Sequence, residues 1–100
     1  MLVTNPPIHP GEMLREEFLV PLGISAGQLA KALHVPRTRI ERLVREETAL
    51  SADTAMRLAR YFGTTPDFWM NMQASYEISC AHADARLQAE LDAIEARDAA

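Results

Sequence analysis

Between Ser25 and Arg45 the chain carries two short helical patterns separated by a three- to four-residue break, and this leaves little freedom in how it can fold. Ser25 followed by Gln28 is a capping-box pair, after which Ala26, Leu29, Ala30 and Leu33 share one helical face. His34 and Val35 make a tight break. Pro36 then suits the first turn of another helix, with Ile40, Leu43 and Val44 pointing inward. Helices of about eight and ten residues joined in this way have the geometry of a helix-turn-helix, whose second helix lies in the DNA major groove. Small Ala30 lets the two helices approach, and Leu29, Leu33, Val35, Ile40 and Leu43 form the wedge that sets their angle.

The rest of the chain reads as helix too. It has 16 Ala and 11 Leu against 4 Val and 5 Ile, and no stretch alternates apolar and polar residues long enough for a half-buried strand. Pro10 opens a first helix to about Val20, with Glu12, Glu16 and Glu17 toward its start and Leu14 and Phe18 on one face; Pro21 and Gly23 end it. Ser51 caps a fourth helix that buries Ala55, Leu58, Ala59 and Phe62 and stops at Gly63. Thr65-Pro66-Asp67 starts a fifth, with Phe68, Trp69, Met72 and Tyr76 as its apolar stripe. From Ala81 an alanine-rich acidic tail spaces Leu87, Leu91 and Ile94 as in a helix. The expectation is an all-α protein: a five-helix repressor-like helix-turn-helix domain over residues 1–79, its recognition helix at about 36–45, followed by a helical tail over 80–100.

Charge is distributed unevenly along the chain. The net charge is -4, yet residues 31–45 carry Lys31, Arg37, Arg39, Arg42 and Arg45 against Glu41 alone, while residues 77–100 sum to -4. An acidic body with one concentrated basic patch can focus a field on a polyanion. Lying outside the wedge, Arg37, Thr38, Arg39, Glu41, Arg42 and Arg45 are free to face that polyanion. Arginine offers two donors to guanine O6 and N7, and threonine a methyl or a hydroxyl. Glu41 is four residues from both Arg37 and Arg45, and an intrahelical ion pair is favoured for it over a contact with cytosine.

Several classes fall away. No apolar run approaches the roughly 18 residues that cross a bilayer, and the opening MLVTNPPIHPGE lacks a basic stretch followed by an apolar one, so a cytoplasmic protein without a membrane partner is expected. Lone Cys80 closes no intramolecular disulfide, and His9, His34 and His82 lack second ligands at helical spacing. No metal, no other cofactor, no small-molecule substrate and no enzymatic activity are expected, since no nucleophile with a base, paired carboxylates or phosphate-cradling loop can be assembled. A domain this small buries only about two thirds of its unfolded surface, and a homodimer is expected on size alone.

AGQLAKALHVPRTRIERLV, residues 26–44, resembles the helix-turn-helix of phage-repressor and Xre-type DNA-binding domains. HPGEMLREEF at 9–18 and ALSADTAMRLARYFGTTPDFWMNMQASYE at 49–77, with their spacing from it, resemble the HigA antitoxins of bacterial type II toxin-antitoxin pairs. The resemblance covers residues 8 to about 79. It implies that Gln28 lies near the DNA backbone, that Arg37, Thr38, Arg39 and Arg42 touch bases or adjacent phosphates, and that Arg45 touches a phosphate. It further implies a partner, a HigB toxin, a small basic messenger-RNA ribonuclease of RelE-like fold, and autorepression through palindromic operator DNA. Two departures stand out: His34 and Glu46 occupy positions usually held by glycine, and a left-handed backbone there costs each about 1 kcal/mol relative to glycine.

Two surfaces beyond the DNA face are expected. Phe68, Trp69, Met72 and Tyr76 are candidates for the dimer interface, Trp69 in a role shared with the core. Glu12, Glu16 and Glu17 are candidates for meeting a basic toxin, although acids there also favour a helix N-terminus. The alternative is a simple Xre-type transcriptional regulator with no toxin partner; a small basic ribonuclease-like protein encoded next to this one discriminates the two.

Overall fold

The computed structural model describes residues 3–97; the outermost residues of the expected domain and tail, 1, 2 and 98–100, lie outside the described residues. Six helices follow one another, with no strand among the described residues. We number them α1 (residues 10–22), α2 (Ala26–Leu33), α3 (Arg37–Val44), α4 (Ala52–Phe62), α5 (Pro66–Ala83) and α6 (Ala85–Asp92). The expected all-α domain with a helical extension is the architecture found. No helix among the described residues is long and apolar enough to cross a membrane.

Local signals in the sequence account for most helix ends. Ser25 and Gln28 complete their capping box, the Ser25 N–H donating to Gln28 Oε1 at 2.8 Å and the Gln28 N–H to Ser25 Oγ at 3.1 Å. Ser51 and Thr65 cap α4 and α5, accepting from the N–H groups of Thr54 and Phe68 at 3.3 and 3.1 Å. Gly23 and Gly63 end α1 and α4 with φ of 67° and 70°.

The first helix departs from expectation. It continues through Pro21 to Leu22, because its centre, Leu14–Leu19, is a π-helix in which the Val20 N–H donates to the Arg15 carbonyl five residues back. A proline inside an α-helix clashes with the carbonyl four residues before it. A wider turn that pairs residues five apart leaves room for the ring.

Leu14, Leu29, Ala30, Leu33, Ile40, Leu43, Leu50, Ala55, Leu58, Ala59 and Trp69 form one core. Trp69, expected to share a role between the core and a dimer interface, is fully buried within its own chain. Its ring centroid lies 5.0 Å from that of Phe18 and 6.3 Å from that of Phe62, and its Nε1–H donates to Thr64 Oγ1 at 2.7 Å. Phe18 and Phe62, arriving from α1 and α4, help to enclose it.

The helix α5 runs without a break past residue 79 and ends at Ala83, where Asp84 turns the chain into α6 and accepts from the N–H groups of Arg86 and Leu87. None of the residues of α6 is buried, and the extension helps make the protein long, 52 × 26 × 22 Å.

A close backbone approach joins α1 to α3. A Cβ placed on Gly11 would stand 1.9 Å from the carbonyl oxygen of Leu43, a distance at which backbone must move. His9 folds beside it: its Nδ1 accepts from the Gly11 N–H at 2.9 Å, Pro10 takes the first helical position, and burial pushes the imidazole pKa down against the pull of Glu46, Thr48 and Glu12. The HPGE segment is thus a clamp on the end of α3. Elsewhere in a helix, Gly→Ala gains up to about 1 kcal/mol from propensity. Gly11→Ala should instead destabilise the fold by about 3 kcal/mol through overpacking. Urea unfolding followed by circular dichroism checks the sign, and an unchanged or raised midpoint would refute the clamp.

Candidate nucleic-acid interface

The helix-turn-helix is α2, the turn His34–Pro36, and α3. His34 has φ 60°, so the strained left-handed residue anticipated at this departure from glycine is present. The reversal puts the Val35 N–H within 3.0 Å of the Ala30 carbonyl and so satisfies the end of α2. Beyond α3, Glu46 has φ 63°, and the Glu47 N–H donates to the Arg42 carbonyl at 2.9 Å in the same manner. Both helices of the motif therefore end in the glycine geometry without glycine.

Two arginines outside the motif cap the C-terminal ends of its two helices. Arg15, from the π turn of α1, donates through Nη1 to the Val44 carbonyl and through Nη2 to Glu46 Oε2 at 3.3 Å, so it caps α3. Arg57, from α4, donates through Nη1 to the Leu33 carbonyl at 2.8 Å, at the end of α2. Neither was identified from sequence. Arg15 is the sole base among residues 1–30, but its target is a backbone carbonyl, and carbonyls leave no trace in composition. The Asp53–Arg57 spacing was visible as an i,i+4 pair, yet its tertiary partners were not.

The structure places the expected DNA-facing residues as follows. Arg37, Thr38 and Arg42 are exposed on α3 and Arg45 just beyond its end, while Ile40 and Leu43 of the helix are buried. Arg37 pairs with Glu41 at 2.9 Å, the ion pair favoured from spacing, with its own side chain 73% exposed. Pairs so exposed are worth little and break readily for a better acceptor. The Arg37 guanidinium lies against Gly27, where an added Cβ would be 3.3 Å from Nε, and this brings the start of α2 next to α3. Gln28 is exposed there; its oxygen serves the Ser25 cap, leaving its amide NH2 to donate outward. Arg45 has no ion pair among the described residues. Arg39 is exposed but bound sideways to Asp53 of α4 at 2.8 Å.

Negative charge at the end of α3 is partly neutralised, Glu46 by Arg15 and Glu47 by Arg42 at 4.0 Å. Asp53 stands between two guanidiniums; Arg57 foremost and then Arg39 hold its carboxyl below the usual carboxylate range.

The other candidate residues lie on different elements. Glu16 and Glu17 are exposed on α1 and Glu12 is half-buried there; Glu16 is engaged by Arg15 Nε at 3.0 Å. Phe68 and Met72 line an apolar groove of about 620 Å³ with Ile8 and Met13. Tyr76 stands edge-on against His9, with ring centroids 4.7 Å apart. Among the described residues no group of His, Cys, Asp and Glu is placed to hold a metal.

The helix-turn-helix family profile matches residues 14–69. Virulence-associated protein I of Dichelobacter nodosus is 56% identical over 79 residues, which cover 79% of this chain and 73% of that protein. Antitoxin HigA-1 of Vibrio cholerae is 40% identical over 72 residues, covering 72% of this chain and 68% of that protein. Among solved structures, the Pseudomonas aeruginosa antitoxin HigA with the higBA promoter superposes with a TM-score of 0.83 at 47% identity, over 89% of this chain and 96% of that one.

His34→Gly should relieve the left-handed strain in the turn and raise stability by about 1 kcal/mol, or about 4–8 °C in melting temperature for a domain of this length. Thermal unfolding by calorimetry measures it; a drop would mean that the His34 side chain supplies more than the turn geometry costs.

Proposed function

The chain belongs to the helix-turn-helix family, among its HigA-type antitoxins, and we propose that it binds palindromic operator DNA as a dimer, represses its own operon and neutralises a HigB/RelE-like ribonuclease. Its relatives are antitoxins and helix-turn-helix regulators, not enzymes. The observation that carries the reading is the outer face of α3: Arg37, Thr38 and Arg42, with Arg45 just beyond them, stand exposed on a helix whose end is capped by Arg15 of α1 and whose start follows a turn tied to α4 through Arg57. A fixed helix presents its donors without first losing conformational freedom.

In this reading Arg37, Thr38, Arg39 and Arg42 meet bases and adjacent phosphates, while Arg45 and the free amide of Gln28 meet phosphates. One recognition helix reads too few base pairs for a regulatory site, so two chains engage half-sites spaced about 34 to 36 Å apart or a multiple of it. The dimer surface is assigned to Phe68, Met72 and Tyr76 without Trp69, because the Phe68–Met72 groove is apolar and open whereas the indole is enclosed. The toxin surface is assigned to α1 with Glu12, Glu16 and Glu17, where acids meet a basic partner and charge speeds encounter. Both partners are met in the cytoplasm. A regulator without a toxin is the competing reading, favoured by the similarity to curated transcriptional regulators such as YbaQ of Escherichia coli.

Replacing Arg37 or Arg42 with alanine should cost about 1 to 3 kcal/mol on the operator and relax specificity, whereas Arg45→Ala should weaken all duplexes alike and reduce the salt slope by about 1. Footprinting upstream of the chain's own gene followed by anisotropy titrations tests this; unaltered operator affinity in the Arg37→Ala, Arg42→Ala double variant would remove α3 from the interface.

The partner is tested by co-expression. The chain should rescue cells from the toxicity of the adjacent gene's product, and the double variant should still rescue while losing repression. A harmless neighbour that does not co-purify leaves the simple regulator; rescue lost together with DNA binding contradicts two separate surfaces.

A further inference from the structure

Asp53 stands at the first turn of α4, and one of its oxygens is shared by two arginines. Arg39 Nη1 donates to Asp53 Oδ1 at 2.8 Å, and Arg57 Nε donates to the same atom at 2.8 Å. Arg57 also reaches the Leu33 carbonyl through Nη1, so the carboxylate facing Arg39 is braced against the end of α2. The pairings of the other α3 arginines differ. Arg37 and Arg42 pair with Glu41 and Glu47, within their own helix and the turn that ends it, whereas Arg39 is tied to another helix. It also lines a cleft with Arg42, Thr48 and Ser51 between α3 and the start of α4.

We infer that Asp53 is a specificity-determining residue: it holds the Arg39 guanidinium at the edge of the recognition helix and withholds it from indiscriminate phosphate contact. This rests on the operator-binding reading above. A free arginine on the face of a DNA-binding helix neutralises a phosphate in any sequence, raising every affinity and steepening the dependence on salt by about 0.9 per phosphate. A guanidinium held by a braced carboxylate reaches only acceptors presented near its held position, and a correctly shaped site loses less from ordering it. Half-exposed pairs are not strong, so Asp53 biases Arg39 and does not lock it.

The test uses the full chain and two duplexes: the segment protected upstream of its own gene, and a shuffled duplex of equal length and composition. Asp53→Asn should raise affinity for the shuffled duplex about tenfold, make the slope of log K against log salt steeper by about 1, and raise operator affinity much less. Asp53→Glu, which keeps the charge, should restore most of the discrimination. In an Arg39→Ala background Asp53→Asn should change either affinity by less than about twofold, since the effect runs through Arg39. Equal gains on both duplexes, or a gain that persists undiminished without Arg39, would overturn the inference. If Asp53→Asn does not fold, Arg39→Ala alone decides: it should weaken the operator several-fold more than the shuffled duplex, and equal losses overturn the proposal. An unmutated chain that fails to discriminate the two duplexes defeats the operator-binding reading as well; one that discriminates while the variants behave otherwise than stated defeats the role of Asp53 alone.

Discussion

The contact of Gly11 with the Leu43 carbonyl sets the position of the recognition helix. No side chain fits between the first turn of α1 and the last turn of α3, so the two backbones touch, and the distance between the helices is fixed by atoms that have no rotamers. The neighbours of Gly11 serve this approach. His9 supplies the cap from the side, Pro10 starts the helix without an N–H to satisfy, and one turn later Arg15 reaches the Val44 carbonyl that the end of α3 leaves open. A segment that reads as a helix start is in three dimensions the seat of a different helix.

At its other end α3 is held through the turn. His34 accepts a left-handed conformation, Val35 closes the last carbonyls of α2, and Arg57 reaches across from α4 to the Leu33 carbonyl. The motif is therefore tied to α1 at one side and α4 at the other, which leaves its outer face little to do structurally. That division explains how four polar or charged residues can stay exposed on an eight-residue helix that an isolated peptide would not form. The helix is stabilised from behind by Ile40 and Leu43 and at its C-terminal end by Arg15, borrowed from α1. Its front is free for a ligand.

The aromatic cluster of Phe18, Phe62, Phe68 and Trp69 joins α1, α4 and α5. Phe18 lies in the π-helical part of α1, where the extra residue per turn changes which side chains face inward. The same distortion admits Pro21 and supplies Arg15. One local irregularity thus serves the core, the continuity of the helix and the cap on α3, in keeping with the tendency of π turns to occur where structure and function meet.

The helices, their caps and the charged face follow from local sequence. Ser25 with Gln28, Ser51, Thr65-Pro66, Gly23 and Gly63 act on atoms within a few residues of themselves, and the apolar spacing of Leu29, Leu33, Ile40 and Leu43 is a property of one turn of helix, so both could be read along the chain. The family was legible for the same reason, since its motifs are local. The tertiary structure alone decided that Gly11 must be bare, that Arg15 and Arg57 cap helices other than their own, that Trp69 is enclosed and that Arg39 turns toward Asp53. These outcomes depend on backbone carbonyls and on neighbours distant along the chain; even Arg39 and Asp53 are 14 residues apart. A carbonyl belongs to every residue alike, so no letter of the sequence marks which one an arginine will find.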